Sequence, residues 1–290
     1  GYGFTSCGYT TAVVGTTERF DDTANTHTAR ANAAARQYSA GYSFGGYGFT
    51  SCGHDGAANV GTTERFDDTA NTHTARANAA ARRILTGYSF GGYGFTSCGH
   101  DGANNVGTTE RFDDTANTHT ARTSATARYA LTGYSFGGYG FTSCGYTTAV
   151  VGTTERFDDT ANTHTARANA AARQYSAGYS FGGYGFTSCG HDGAANVGTT
   201  ERFDDTANTH TARANAAARR ILTGYSFGGY GFTSCGHDGA NNVGTTERFD
   251  DTANTHTARA NAAARRNLAG YSFEEEAPTG QFMSPMTKYW

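Results

Sequence analysis

Four His-Asp pairs are the residues of this chain best suited to chemistry. Each pair opens a polar loop, and the four are His54-Asp55, His100-Asp101, His191-Asp192 and His237-Asp238. A carboxylate beside an imidazole can orient a general base or help to hold a metal ion. However, Asp-Gly is also common turn chemistry, and adjacent residues of an extended chain point to opposite sides. The sequence therefore favours turn or surface roles for these pairs and predicts no metal site and no cofactor.

The loops that carry these pairs belong to a repeat that fills most of the chain. The octapeptide Gly-Tyr-Gly-Phe-Thr-Ser-Cys-Gly starts at Gly1 and returns at Gly46, Gly92, Gly138, Gly183 and Gly229. Residues 1–122 recur without change as residues 138–259. A fixed period of 45 or 46 residues predicts a repeat architecture. Six nearly equivalent units also argue against a unique catalytic constellation, so we do not expect an enzyme.

Each unit contains four short runs with the alternation typical of β-strands. In the second unit we predict strands over 37–44, 47–52, 60–66 and 72–76. Gly45-Gly46 suits a two-residue hairpin, and the alanine-rich segment 77–82 is too short to form a helix alone. Four short strands per unit predict an all-β fold, a six-bladed β-propeller of four-stranded antiparallel blades.

Three segments of each unit carry the pattern of a known repeat. In the second unit they are Cys52-Gly53-His54-Asp55-Gly56, Thr63-Glu64-Arg65-Phe66-Asp67 and Asn71-Thr72-His73. Together they resemble the kelch repeat, with two departures: Cys-Gly replaces the double glycine, and histidine replaces the usual tryptophan. The resemblance covers all six units and implies a propeller that uses one face to bind partners. It also implies a less favoured alternative, an enzyme of the copper-oxidase type, for which six equal units supply no singular Tyr/His/Cys cluster.

The two ends of the repeat region predict how the ring closes. The first unit lacks a strand before Gly1, whereas 265–273 is a strand without a partner in its own unit. We expect 265–273 to pair with 1–7, so that residues 1–273 form one propeller domain without exposed sheet edges. The alternatives are an open stack of blades and a ring completed by a second chain.

The segment 274–290 differs in composition from the repeats. It contains both prolines, both methionines, the only lysine and the only tryptophan. Its apolar side chains are of types that anchor interfaces: Phe282, Met283, Met286, Tyr289 and Trp290. We interpret it either as a strap on its own propeller or as a segment that docks on a partner.

Differences between the units fall almost wholly in two connections. One follows the second strand and reads Tyr-Thr-Thr in units one and four but His-Asp-Gly in the other four. The other leads into the first strand of the next unit. In an antiparallel blade both connections lie at the same end, and binding commonly resides in loops on a rigid scaffold. We therefore predict a binding face that includes Tyr9, His54, Asp55, Arg83, His100, Asp101, Tyr129, His191, Asp192, Arg220, His237 and Asp238.

Composition excludes some classes of partner. The net charge is −3, and no basic stripe suits a nucleic acid. No apolar run approaches the ~20 residues of a membrane-spanning helix. The chain begins inside a repeat, with no visible signal peptide. The compartment is open, although scarce lysine and abundant threonine, glycine and asparagine favour an extracellular, cell-surface or virion setting.

Two further residue sets recur once in each unit. The cysteines are Cys7, Cys52, Cys98, Cys144, Cys189 and Cys235. Equivalent positions on packed sheets lie ~10 Å apart, too far for a disulfide, so we predict buried free thiols. The histidines His27, His73, His119, His164, His210 and His256 are expected to pack between strands with one nitrogen hydrogen-bonded. We expect them to titrate as a set near pH 6.5 and to lower stability on mild acidification.

The sequence thus favours a non-enzymatic binding or structural scaffold with a protein partner or a place in an assembly. The alternative is a glycan-binding propeller in which Tyr, His, Asp and Asn of the loops contact sugars.

Overall fold

The computed structural model describes residues 1–273, which form six β-sheets arranged in a ring around a central axis. Each sheet is a blade of four antiparallel strands, and the innermost strands of neighbouring blades contact one another around the whole axis. The predicted six-bladed, all-β propeller is confirmed. No helix in this part of the chain has the length and apolar character needed to cross a membrane.

Strands are numbered along the chain and occupy four positions from the axis outward. The innermost strands are β4 (Ala40–Phe44), β8 (Thr86–Phe90), β12 (Thr132–Phe136), β16 (Ala177–Phe181), β20 (Thr223–Phe227) and β24 (Ala269–Phe273). The second strands are β1 (Tyr2–Ser6), β5 (Tyr47–Ser51), β9 (Tyr93–Ser97), β13 (Tyr139–Ser143), β17 (Tyr184–Ser188) and β21 (Tyr230–Ser234).

The third and fourth positions complete each blade. The third strands are β2 (Thr17–Asp21), β6 (Thr63–Asp67), β10 (Thr109–Asp113), β14 (Thr154–Asp158), β18 (Thr200–Asp204) and β22 (Thr246–Asp250). The outermost strands are β3 (Thr26–Arg30), β7 (Thr72–Arg76), β11 (Thr118–Arg122), β15 (Thr163–Arg167), β19 (Thr209–Arg213) and β23 (Thr255–Arg259).

The last strand closes the ring within the chain. β24 pairs antiparallel with β1, with Tyr271 opposite Phe4, so the first blade has the order β24-β1-β2-β3. The pairing covers 269–273 and 2–6, which is shorter than the predicted 265–273 and 1–7. It stops there because Cys7 and Asn267 adopt left-handed backbone angles, with φ of 63° and 61°, that leave the strand.

Two predicted strands of the second blade begin later than expected, because the chain is still in a loop at their predicted first residues. The innermost strand of the second blade starts at Ala40 rather than residue 37, because Tyr38 has a φ of 58°. The third strand starts at Thr63 rather than residue 60, because the N–H of Val60 donates to the carbonyl of Gly53 and keeps the chain in a loop. Alternation alone does not reveal a single left-handed residue.

Aromatic clusters between neighbouring blades form the core. Tyr42 of β4 and Phe49 of β5 pack on Phe112 of the next blade, and the ring centroids of Phe49 lie 5.4 Å from those of both partners. Gly94 of β9 lies against Tyr42, where an added Cβ would come within 2.1 Å of the ring. The absence of a side chain at this glycine therefore sets how closely two blades approach.

A chain of buried hydroxyl groups links each blade to the next. In the second blade Tyr42 Oη lies 2.7 Å from Ser51 Oγ, which lies 2.9 Å from Thr63 Oγ1. Thr63 Oγ1 in turn lies 3.2 Å from Nε2 of His119, on the outermost strand of the third blade. Equivalent bonds occur in every blade. The predicted packing of these histidines with one hydrogen-bonded nitrogen is confirmed, and the bond joins two blades.

The six cysteines are buried free thiols, as predicted. The thiol of Cys52 lies 3.5 Å from the carbonyl oxygen of Ala80 and can donate to it. Burial raises the pKa of Cys52 to about 11, so this side chain stays protonated at neutral pH.

We expect stability to fall when the pH drops below about 6.5. Burial lowers the pKa of all six outer-strand histidines and takes that of His210 to about 4. The unfolded chain therefore binds protons that the folded chain excludes, and the free energy of unfolding declines from about pH 6.5 towards pH 4. Urea unfolding measured between pH 7.5 and 4.5 tests this.

The control replaces one outer histidine and one loop histidine separately. His210→Asn should reduce the slope of stability against pH, whereas His191→Asn should leave it close to that of the parent chain. A stability curve that is flat between pH 7.5 and 5.5 contradicts the prediction.

Candidate functional site

The two variable connections of each unit lie together at one end of the ring, which we call the loop face. It is formed by the loops between second and third strands and by the connections that enter the innermost strands. The opposite end, the hairpin face, carries the Gly-Gly and Asp-Asp-Thr-Ala-Asn turns. The backbone of His54 bridges to Gln37, and that of His100 to Arg83, so loop and connection meet directly.

A closed ring of backbone hydrogen bonds surrounds the axis at the loop face. Its members, here called the collar, are the residues two positions before each innermost strand: Tyr38, Ile84, Ala130, Tyr175, Ile221 and Asn267. The N–H of each donates to the carbonyl of the collar residue in the preceding blade, over 2.8 to 3.1 Å. The collar therefore joins all six blades at the axis. Asn267 of the first blade takes part through bonds to Tyr38 of the second blade and Ile221 of the sixth.

Every collar residue has a left-handed backbone, although none is glycine. Their φ angles lie between 55° and 61°. For the β-branched Ile84 and Ile221 this conformation costs roughly 1–3 kcal/mol, and such strain is often found at functional positions. The collar bonds offset that cost.

A small cavity lies on the axis next to the collar. The cavity has a volume of about 100 Å³ and is lined by the first residues of the innermost strands and the residue before each. The hydroxyl oxygens of Ser39 and Ser176 are buried there without a hydrogen-bond partner. The glycines at the second position of these strands admit no side chain, since a Cβ on Gly41 would lie 2.4 Å from the Gly270 carbonyl.

Two tyrosines of the collar face each other across the axis by the repeat symmetry. Burial raises the pKa of Tyr175 to about 12, and the nearby Tyr38 and Tyr129 act in the same direction. Arg220 and Arg83 are close enough to oppose that effect. Tyr175 therefore stays a neutral hydroxyl, available to donate or accept a hydrogen bond.

The four His-Asp pairs hold the shape of their own loops. Asp55 Oδ1 accepts the N–H groups of Ala57 and Ala58, both at 2.8 Å. His54 Nδ1 accepts the N–H of Gly56 at 3.0 Å. The same turn occurs at the other three pairs. The imidazole and the carboxylate bond to different backbone groups, so neither orients the other as in an acid-base pair.

Among residues 1–273 no group of three or more His, Cys, Asp or Glu side chains is arranged to hold a metal ion. The backbone bonds of the Asp55, Asp101, Asp192 and Asp238 carboxylates lower their pKa values, so these exposed groups are charged at neutral pH. They form an outer acidic set on the loop face.

Aromatic side chains replace histidine in the two remaining loops. Tyr146 packs on Tyr129 with ring centroids 5.3 Å apart, and His100 lies 6.1 Å from Tyr129. In the first blade the guanidinium of Arg266 lies 5.2 Å from the ring centre of Tyr9. The structure thus groups the predicted residues Tyr129 and His100 with Tyr146, and it separately places the predicted Tyr9 beside Arg266.

Arginine side chains separate into two classes across the described chain. Every arginine of residues 1–273 pairs with a carboxylate within 3.2 Å except Arg83, Arg220 and Arg266. All three precede a collar residue and are half-buried. The unpaired positive charge of the propeller is thus concentrated around the axis on the loop face.

The paired arginines hold neighbouring blades together. Arg19 and Arg30 of the first blade both contact Asp68 of the second, at 3.2 and 2.7 Å. A second arginine set is almost fully buried: Arg82, 1% exposed, enters from the connection and pairs with Glu110 of the next blade. It also donates to Thr96 Oγ1 at 2.7 Å.

Sequence reasoning missed the collar as a unit. The alternating pattern placed Tyr38 inside a strand. The one sequence signal that could have found the collar is that the residue at this position varies between the units. The tail residues Phe282, Met283, Met286, Tyr289 and Trp290 lie outside the described residues.

Comparison with known proteins supports the fold. No protein-family model and no curated protein matches the sequence. A solved structure, "Structure of YjhT", is similar with a TM-score of 0.71 and 8% sequence identity. The similarity covers 88% of this chain and 96% of that chain. At this level of identity the likeness shows the propeller fold alone.

Replacement of the adjacent residues Arg82 and Arg83 should show that carboxylate-paired and unpaired arginines differ in their contribution to stability. Arg82→Met leaves Glu110 buried without its partner, so we expect a loss of about 3 kcal/mol in the free energy of unfolding. Arg83→Met breaks no ion pair, so its effect should stay within about 0.5 kcal/mol. Chemical denaturation of both variants measures this. Equal losses in the two would show that the pairing of Arg82 does not matter.

Proposed function

We propose that this chain is a non-catalytic, kelch-like scaffold that binds a protein partner through its loop face. The observation that carries the proposal is the location of the three unpaired arginines. Elsewhere in residues 1–273 each arginine is used to hold neighbouring blades together. Half-buried Arg83, Arg220 and Arg266 have no such role, which fits residues kept for a partner.

Other features of the loop face support the same function. Arginine and tyrosine, which surround the axis, are the residue types most enriched at protein interfaces. Strained Ile84 and Ile221 lie on the same face. Variation between the units is concentrated there, whereas the turns of the hairpin face repeat with little change. A scaffold of this kind suits a component of an extracellular, cell-surface or virion assembly.

A glycan ligand is the second candidate. The cluster of His100, Tyr129 and Tyr146 offers aromatic rings beside polar loop residues, with Tyr129 and Tyr146 5.3 Å apart. A glycan array probed with the purified chain distinguishes the two functions. Saturable binding that is lost in Tyr129→Ala would favour the glycan.

The main test compares two triple variants as baits for partners from the source organism. The loop-face variant carries Arg83→Gln, Arg220→Gln and Arg266→Gln. The control carries Thr23→Gln, Thr69→Gln and Thr115→Gln, which change exposed turns of the hairpin face. Each partner that the parent chain retains is then purified. Its dissociation constants for the parent chain and for the two variants are measured by calorimetry.

We expect the loop-face variant to bind its partner at least tenfold more weakly, about 1.4 kcal/mol, with no change in the control. Thermal unfolding should be similar for all three proteins, since none of the replaced side chains makes an ion pair in residues 1–273. Loss of binding in the hairpin-face control alone would place the interaction on the wrong face and refute the proposal.

A further inference from the structure

The tail leaves the propeller at the end opposite the unpaired arginines. β24 begins two residues after Asn267 of the collar, on the loop face, and ends at Phe273, which pairs with Tyr2. In the other blades the corresponding pair, for example Phe44 with Tyr47, flanks the Gly-Gly turn of the hairpin face. The described chain therefore ends on the hairpin face.

That exit point is also next to the axis. β24 is the innermost strand of its blade and contacts β20 and β4, the innermost strands on either side. The next three residues are Glu274, Glu275 and Glu276. The described chain thus ends beside the axis on one face and is followed in sequence by three glutamates, whereas three unpaired guanidinium groups surround the axis on the other face.

We propose that Glu274–Glu276 of one copy dock on Arg83, Arg220 and Arg266 of a second copy, so that propellers stack head to tail along their common axis. The inference rests on the proposed function, since it names the partner of the loop face. Guanidinium and carboxylate groups form strong charge-assisted hydrogen bonds. Two copies stacked on one axis bring these groups together without the tail having to pass around its own blades.

The other charges of the loop face favour a narrow acidic segment as the occupant. The loops of the loop face carry four exposed aspartates: Asp55, Asp101, Asp192 and Asp238. Each follows a histidine whose backbone bridges to the residue before a collar residue, so the aspartate is one residue beyond that bridge. Their carboxylates repel a broad acidic surface laid across the face. A narrow segment with adjacent carboxyl groups that arrives along the axis meets the arginines instead.

The centre of the loop face can also accept apolar groups. Tyr38, Ile84, Tyr175 and Ile221 of the collar are half-buried. The tail beyond the glutamates has matching residue types in Phe282 and Met283. The charged contact would then fix the position of the segment, and apolar contact would add affinity.

Head-to-tail contact uses two different surfaces on each copy, so it does not close after two subunits. We therefore expect the full-length chain to form species that grow with concentration. Sedimentation velocity over about 1–100 µM should show dimers and larger stacks at low salt. They should dissociate as the salt concentration rises to about 0.5 M, because exposed ion pairs are screened.

Two full-length variants test the pairing. The arginine variant carries Arg83→Gln, Arg220→Gln and Arg266→Gln, and the glutamate variant carries Glu274→Gln, Glu275→Gln and Glu276→Gln. Each should remain monomeric alone, with association at least tenfold weaker than in the parent chain. Mixed together they should form a one-to-one dimer and nothing larger, because only one intact interface remains. Arg83→Lys, Arg220→Lys and Arg266→Lys together keep the charge and should retain part of the assembly.

Several outcomes overturn the inference. A parent chain that is monomeric throughout, a glutamate variant that assembles like the parent, or a mixture without a dimer would each do so. A monomeric parent that binds an outside acidic peptide or heparin through the three arginines also overturns it. That last result leaves arginine-dependent binding at the loop face intact, so failure of the stacking model and failure of the loop-face function remain distinguishable.

Discussion

The buried arginine in each connection between blades is the interaction on which the ring depends. Arg82 and its equivalents lie at the one place where the chain crosses from one blade to the next, and each pairs with a glutamate on the third strand of the blade it enters. Such a pair contributes less to net stability than to the specificity of blade packing, since an arrangement that left either buried charge without its partner would be costly. Arg265, in the connection from the sixth blade to β24 of the first, makes the same contact with Glu18 of β2, at 2.7 Å, so this pair also spans the blade in which β24 and β1 pair without a covalent hairpin.

The remaining contacts between blades work with this pair at different distances from the axis. The collar joins the blades at the centre, the aromatic clusters and the Tyr-Ser-Thr-His hydroxyl chains join them at mid-radius, and Arg19 with Asp68 joins them on the hairpin face. Each set recurs in all six blades. These contacts use most of the arginine and carboxylate side chains that lie between neighbouring blades.

Most of the architecture could be predicted from the sequence, because period, alternation and turn residues act locally and are repeated six times. The strands near Tyr42, the Gly45-Gly46 turn and the closing strand follow from such signals. The collar could not be predicted, since left-handed Tyr38 and Ile84 form hydrogen bonds to collar residues of the neighbouring blades, which are distant in sequence. For the loop face, the sequence predicted that the two variable connections lie at the same end of the propeller, and they do. It did not show that Arg83 is unpaired while neighbouring Arg82 is buried, because that difference depends on a glutamate in another blade.

The collar has an electrostatic consequence of its own. Its six N–H to C=O bonds all run in the same sense, each residue donating to the blade before it. Peptide dipoles arranged head to tail around a circle cancel one another, so the ring contributes almost no field along the axis. A helix end at this place would impose a fixed partial charge on any ligand. Here the fixed charges beside the mouth of the axis come from side chains such as Arg83, Arg220 and Arg266, so single substitutions at these positions should change the local charge one blade at a time.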